Sequence, residues 1–401
     1  ICWSFDQVDD LDKLGAFDHI VIGDGEAVID QLLAEILAGS ADQKVIRNRE
    51  RFALSQSKPF YRQMVDTTID RYYGAVLEIS RGCPFLCEFC DIRILPDNNR
   101  PHSRQVDLIV EEIEYLCSLG VRSFLLACDN FIGDPRWAEE VVDAILKWQE
   151  TSDYRPVFYT WLTLNLYKMP ELMRKMRLAG FDSLFIGVES FNSNSLLETA
   201  KVQNTASGVI GAVKEIQSYG FPVVAGLIFG FDSDDESCFD STINGLLEAG
   251  LISGDPSLLT ALPGTPLFKR MKLAGRIRDS KYGLGGFKYH TNIKYLLPRD
   301  FLIQGYLKFA VKLNSGQYQY ERFKAFLDNK EGENYISLGG RSYFNPKLAI
   351  QVMRKNPAVL KLTLYRLGAF ASSPKNIWYL FKALSYTMSK TKIEGRFAYF
   401  Q

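Results

Sequence analysis

The sequence predicts an α/β chain organised around a parallel sheet, and three observations carry the prediction. Between residues 74 and 264, apolar strands alternate with amphipathic helices at a spacing of about 30–40 residues, the rhythm of repeated βαβ units. Four of those helices end on a glycine just before the next strand (Gly120, Gly180, Gly220 and Gly250), where glycine takes a left-handed C-cap at little cost. Three of the seven cysteines, Cys83, Cys87 and Cys90, follow the first strand directly, at the sheet edge where parallel architectures gather ligand-binding groups.

Composition narrows the class. Apolar residues make up 47% of 401 and the formal net charge is zero, which suits two or three globular domains with sizeable cores. No run reaches the roughly 18 apolar residues of a membrane span, and no signal peptide is visible. Cysteines bunched in one loop, rather than spread as a disulfide framework, point to a reducing, cytoplasmic compartment. The chain starts at Ile1, as expected of a fragment or trimmed product.

Residues 1–40 contain Phe17–Glu26, a strand running into the turn Gly23-Asp24-Gly25, then a helix with apolar Val28, Ile29, Leu32, Leu33, Ile36 and Leu37. The turn is not the dinucleotide fingerprint, and the lone His19 reads as structural. Residues 41–70 are polar, carry Pro59 and read as a linker. Residues 71–290 hold the repeating unit. Its strands are Ala75–Ile79, Val121–Ala127, Val157–Leu162, Ser183–Val188, Val223–Phe229 and Ser257–Ala261. The first helix shows Val106, Ile109, Val110, Ile113, Leu116 and Cys117 at helical spacing. Six such strands predict a (β/α)6 partial TIM barrel. Beyond residue 290 the alternation stops. Tyr306–Asn314, Tyr320–Leu327, Pro346–Met353 and Ile377–Met388 read as helices of a C-terminal domain, 291–401, the last with apolar Ile377, Leu380, Phe381, Leu384 and Met388.

The chemistry concentrates in Arg81-Gly82-Cys83-Pro84-Phe85-Leu86-Cys87-Glu88-Phe89-Cys90, spaced C-x3-C-x2-C. Thiolates suit iron–sulfur clusters and zinc. Three on a short loop can cap one face of a 4Fe–4S cubane and leave its fourth iron open. Structural zinc takes four ligands in pairs, and no second C-x2-C or H-x3-5-H follows. Three unrelated reduced cysteines are the plainer alternative.

With Phe89 directly before the last cysteine, the motif resembles the radical S-adenosylmethionine (SAM) superfamily. The wider set RGCPFLCEFCDI, DNFIG, FIGVES, LIFGFD and ALPGTPL resembles its cobalamin-binding-domain subgroup with a helical C-terminal extension, which includes the hopanoid C-2 methylase. The resemblance runs from about residue 15 to the end, and it too implies a partial barrel. It implies that the open iron chelates SAM and that reductive cleavage yields a 5′-deoxyadenosyl radical. The radical chemistry would methylate an unactivated carbon of a lipid-like substrate through methylcobalamin. An electron donor such as flavodoxin or ferredoxin would serve it. Residues 1–40 then resemble the last βα unit of a doubly wound cobalamin-binding domain. Roughly 100 further residues would precede that unit, so cobalamin is expected of a longer parent and doubtful in this chain. Two rivals are cobalamin-independent radical chemistry, such as cyclisation or hydrogen abstraction, and a non-enzymatic iron–sulfur electron-transfer or sensing module.

Strand ends supply the remaining candidates. The resemblance implies that Phe89 packs by the SAM adenine. After the second strand, Cys128-Asp129-Asn130 stands where the family often has a Gly-Gly-Glu-type turn. Asp129 offers a carboxylate for the SAM ammonium group, or it or Asn130 caps a helix. Thr160, Thr163 and Asn165 suit a ribose. Gly187-Val188-Glu189-Ser190 matches the family's G-x-E-S, and a glutamate closing an apolar strand is costly to bury without partners. Glu189 and Ser190 are therefore cofactor candidates. Gly226 and Ile228 follow on the fifth strand, where glycine lets backbone approach a ligand or only eases packing. Leu262–Pro266 reads as a structural turn, and no catalytic acid or base is assigned. Cys117 and Cys128 read as packing residues.

Charge is polarised. From Arg341 onward there are eleven Lys or Arg and one acid, Glu394, so residues 1–340 carry a net −10. The plainer meaning is a solvated basic face packed on an acidic body. The alternative is peripheral contact with an anionic inner-membrane surface. No motif supports nucleic acid.

Overall fold

The computed structural model describes residues 15, 17–94, 99–199, 208–278, 291–330, 332–339, 341, 345–371 and 373–390. At the N-terminus, β1 (Ile20–Ile22), α1 (Ile29–Ala38) and β2 (Val45–Arg47) form one βαβ unit, with Ile20 opposite Val45 in parallel register. The stretch read as a linker therefore begins with a strand. Three residues carry too short a pattern to signal it, and its partner lies 25 positions upstream. Helix α2 (Arg62–Thr68) leads into the main sheet.

That sheet takes β3 (Ala75–Glu78), whose exit carries a small antiparallel pair, β4 (Ser80–Arg81) with β5 (His102–Ser103). Then follow α3 (Val106–Ser118), β6 (Ser123–Ala127), α4 (Pro135–Thr151), β7 (Val157–Leu162), α5 (Pro170–Ala179) and β8 (Phe181–Glu189). The series ends with α6 (Ser193–Glu198), α7 (Val209–Ser218), β9 (Val223–Phe229), α8 (Cys238–Glu248), β10 (Ser253–Leu258) and α9 (Pro266–Leu273). The strand order is β10-β9-β8-β7-β6-β3, every neighbour parallel. Each strand is laid beside its predecessor, as short right-handed crossovers require. Among the described residues β3 and β10 do not pair with each other, so the sheet is an open, six-stranded partial barrel. Leu126, Phe158, Leu184, Ile186 and Ala225, none more than 1% exposed, join the helices' apolar faces in one core. Gly120, Gly180, Gly220 and Gly250 all sit at positive φ after their helices. At Gly180 a Cβ would also lie 2.7 Å from the Pro156 carbonyl oxygen.

The sixth strand differs from expectation. It spans Ser253–Leu258 rather than Ser257–Ala261, with Leu258 opposite Phe229. The polar run Ser253-Gly254-Asp255-Pro256 gives no strand pattern, but it lies on the sheet edge, where proline is tolerated.

The C-terminal helices are α10 (Arg299–Leu313), α11 (Gly316–Asn329), α12 (Pro346–Lys355), α13 (Pro357–Ala371) and α14 (Pro374–Ser389). Phe309 of α10 meets Phe229 at 4.9 Å between centroids, joining this layer to the sheet's core. On α11 the buried Arg322 donates to the carbonyls of Leu251 (3.0 Å) and Leu313 (2.7 Å). Helix α13 was not foreseen, because its apolar residues show no one-sided period. On α14, Phe381 and Met388 prove exposed, while Ala383 and Thr387 face inward.

Candidate iron–sulfur and cofactor site

All six strands of a parallel sheet end on one side, so the loops after β3, β6, β8, β9 and β10 share a face. The cysteine loop leaves β4 at Gly82, where φ is +92° and glycine avoids the Cβ clash. Just before it, Arg81 is held by Glu78 (2.8 Å) and by Glu26 of the N-terminal unit. Asp129, at the end of β6, accepts the Gly82 amide at 2.6 Å. Burial raises the Asp129 pKa, with the Gly82 hydrogen bond opposing. Asp129 thus aims the start of the loop. Next to it, buried Asn130 points its amide nitrogen at Cys83 Sγ, 3.7 Å away. Thr163 Oγ1 lies 2.5 Å from Asn165 Oδ1 and 3.4 Å from Asn130 Oδ1. These three polar residues back the first cysteine.

The other end of the loop is fastened from across the sheet. The Glu88 amide donates to the Thr199 carbonyl just after α6 (3.0 Å), and its carbonyl accepts from Leu267 of α9 (3.1 Å). Its carboxylate takes a forked pair from Arg270, Nε at 2.9 Å and Nη2 at 2.6 Å. Arg270 also reaches Asp232 (2.8 Å), which Arg276 holds with two further bonds of 2.9 and 2.7 Å. The loop after the first strand is thereby tied to segments after β8, β9 and β10, and it spans the gap that the open sheet leaves. Burial raises the Asp232 pKa, but the Arg276 and Arg270 hydrogen bonds outweigh it and hold the group below the usual carboxylate value. A depressed carboxylate contributes stability above its unfolded pKa of about 4 and loses it as pH falls through the folded value. Acid titration followed by tryptophan fluorescence should therefore show wild-type stability dropping more steeply below about pH 4 than Asp232→Asn. Parallel curves would refute the assignment.

Phe89 and Ile228, both cofactor candidates, pack on one buried apolar cluster of Phe231, Leu259, Leu267 and Ile293, with Phe89 6.4 Å from Phe231. Glu189 ends β8 at φ +67°, the sole non-glycine at positive φ among the described residues, beside a register shift between Gly187 and Glu189. Such strain persists where surrounding structure overdetermines it, often at ligand sites. Ser190 is buried, and its hydroxyl accepts the Asn192 amide at 3.0 Å in a local turn.

Two further candidates, Thr160 and Gly226, lie within the sheet. Thr160 is fully buried within the sheet, its hydroxyl donating to the Leu126 carbonyl at 2.9 Å and meeting Cys128 Sγ at 3.4 Å. It bridges β6 and β7. Gly226 lies mid-strand, and a Cβ there would come 3.2 Å from the Phe185 ring, so the glycine makes room for that side chain. Pattern reasoning could not separate these from ligand contacts, because a strand's inward positions carry both. It also weighed Asn130 only as a cap and missed Glu88, Arg270 and Asp232. A charged residue between two cysteines was the available signal, but Arg270 lies 182 positions away.

The donor set fits a 4Fe–4S cluster. Three soft thiols share one loop, and burial pushes the Cys90 thiol up to about 12, so ionisation there needs the positive charge of bound iron. Among the described residues no three or more His, Cys, Asp or Glu groups converge on a single point as one metal ion would need. A cubane instead takes each thiolate on a different iron.

A parallel partial barrel with a three-thiol loop at its strand ends defines an α/β protein carrying the donor set of an iron–sulfur cluster. Residues 77–246 match the model of the radical SAM superfamily, so the chain carries a radical SAM domain. It is 31% identical over 277 residues to a Synechocystis sp. protein named as an uncharacterized methyltransferase, covering 69% of this chain and 51% of that protein. Identity to the hopanoid C-2 methylase of Rhodopseudomonas palustris is 28% over 292 residues, 72% of this chain and 54% of the methylase. The chain thus spans about half the length of these curated relatives. In fold it is similar to OxsB, a cobalamin-dependent SAM radical enzyme solved with aqua-cobalamin and SAM bound. The TM-score is 0.57 at 14% identity, over 90% of this chain and 67% of that one.

Proposed function

We propose that this chain is the catalytic portion of a radical SAM methyltransferase acting on an unactivated carbon of a large apolar, lipid-like substrate. The observation that carries it is the loop Cys83–Cys90, presenting three thiols at the strand ends and fastened at both sides. Methyltransferase names among the relatives support the reaction class, and the hopanoid methylase supports an apolar substrate.

Cys83, Cys87 and Cys90 would hold the cluster, which when bound supplies the electron for reductive cleavage of SAM. The protein's own contribution is positional. Asp129 fixes the Gly82 amide, and Asn130 offers an N–H to Cys83, a contact that tunes iron–sulfur clusters. Phe89, Ile228 and Phe231 form an apolar wall that keeps water from reactive species. Glu189 presents its strained backbone and carboxylate at the neighbouring strand end. Cobalamin fits the relatives better than the described residues here. Within β1–α1–β2 the Asp24 carboxylate accepts the Phe52 amide at 2.7 Å and His19 contacts the Gln43 carbonyl, so these groups are engaged by protein. No step is derived through it.

Anaerobic reconstitution followed by electron paramagnetic resonance with and without SAM tests the reading. A 4Fe–4S signal that SAM perturbs, with 5′-deoxyadenosine released on reduction, is expected. A cluster indifferent to SAM would favour the electron-transfer alternative. Glu189→Gly should relieve about 1 kcal/mol of backbone strain, raising the urea midpoint, while weakening the SAM-induced spectral change. A lowered midpoint with an unchanged SAM response would show that Glu189 is only structural.

A further inference from the structure

We propose that α13 and α14 form a docking face for an anionic lipid bilayer, an inference independent of the reaction assigned above. Residues 341–390 contain nine Lys or Arg and neither Asp nor Glu. Three of these cations are taken up by the body. Arg341 donates to the Pro156 carbonyl (3.0 Å) and Gln149 (2.8 Å), Lys355 pairs with Asp70, and Lys390 pairs with Asp328 (2.6 Å). Lys347, Arg354, Lys361, Lys375 and Lys382 are exposed.

Large apolar side chains are exposed among them. On α13, Leu360, Leu362, Leu364 and Tyr365 are 39–73% exposed, and on α14 Trp378, Phe381 and Met388 are 54–62% exposed. The α14 positions recur at helical spacing, and Lys382 lies 5.4 Å from the Trp378 ring. The other face of α14 packs on α11, where Tyr379 meets Tyr320 at 6.0 Å. Helix α13 has no such buried side among its described residues. A helix apolar all round is ordinarily covered.

Charge selects the occupant. A second copy of the same face would bring like charges together. Nucleic acid would match the cations but gain nothing from exposed leucines. An anionic bilayer satisfies both: leucines enter the acyl boundary, Trp378 and Tyr365 suit the headgroup level, and cations meet the lipid phosphates. Among the described residues no helix is long and apolar enough to cross, so the contact lies in the interface plane.

Flotation of the chain with phosphatidylcholine/phosphatidylglycerol vesicles, against phosphatidylcholine alone, tests this. Co-flotation only with the anionic vesicles, reversed by high salt, is expected. Leu362→Glu/Leu364→Glu should lower partitioning at least about 10-fold, and Lys361→Glu/Lys375→Glu about 5-fold per cation. Both variants should keep the wild-type circular dichroism and reconstituted iron content. Wild type that stays below the vesicles, or that floats equally with neutral lipid, overturns the proposal. So does a lipid-free dimer, seen by light scattering, that Leu362→Glu dissociates.

Discussion

Cys87→Ala should leave the chain folded but unable to hold iron, dropping from about four irons per chain after reconstitution to near zero. Cys87 is buried at the middle of a loop whose ends are tied elsewhere, by Asp129 at Gly82 and by Thr199, Leu267 and Arg270 at Glu88. The fold therefore does not depend on its sulfur, whereas a cubane face needs all three. Iron and sulfide analysis, with paramagnetic resonance of the reduced protein, reads the result. Cys117→Ala is the control. That residue is fully buried on α3 and packs in the apolar core between helices and sheet, so its loss should leave iron content unchanged. If Cys117→Ala lost iron as completely as Cys87→Ala, the assignment of the three-cysteine loop would be wrong.

Arg104→Met is expected to cost about 3–5 kcal/mol of stability, the penalty for stranding a buried charge. Arg104 and Glu112 are 9% and 4% exposed at their side chains and make a two-pronged pair at 2.8 Å on each arm. Glu112 also accepts the Phe60 amide (2.9 Å), and Arg104 donates to the Glu78 carbonyl (3.1 Å) at the exit of β3. The pair therefore joins α3, the segment before α2 and the strand leading to the cysteines. Adding Glu112→Leu to Arg104→Met should restore much of the loss, because no unpaired charge then remains. Urea denaturation of the single and double variants measures both. A single variant costing under about 1 kcal/mol would mean that water reaches Glu112 and that the pair behaves as a surface contact.

Much of this molecule is written locally. The strands of the sheet are short apolar runs rich in β-branched and aromatic residues, bounded by glycines that must adopt positive φ, and five of the six lie where the pattern places them. The C-x3-C-x2-C spacing names its chemistry because three soft ligands within eight residues need no tertiary information to be neighbours. Short or edge elements were less legible. Val45–Arg47 and Ser253–Leu258 become strands only because a partner backbone is beside them, and hydrogen bonding to that partner outweighs weak propensity.

Site residues divide along the same line. Cys83, Cys87 and Cys90 stand out as candidates by mutual spacing, and Glu189 as a charged residue closing an apolar strand. Thr160 and Gly226 were indistinguishable from ligand contacts until their neighbours, Leu126 and Phe185, were in place. Glu88, Asp232, Arg270 and Arg276 form one network from three distant segments, and only the curl of the sheet brings them together. Local sequence specified the strands, the caps and the three-thiol loop, since each depends on residues close along the chain. Which polar groups aim those thiols was decided by tertiary packing, because hydrogen bonds act over about 3 Å between segments that the chain keeps far apart.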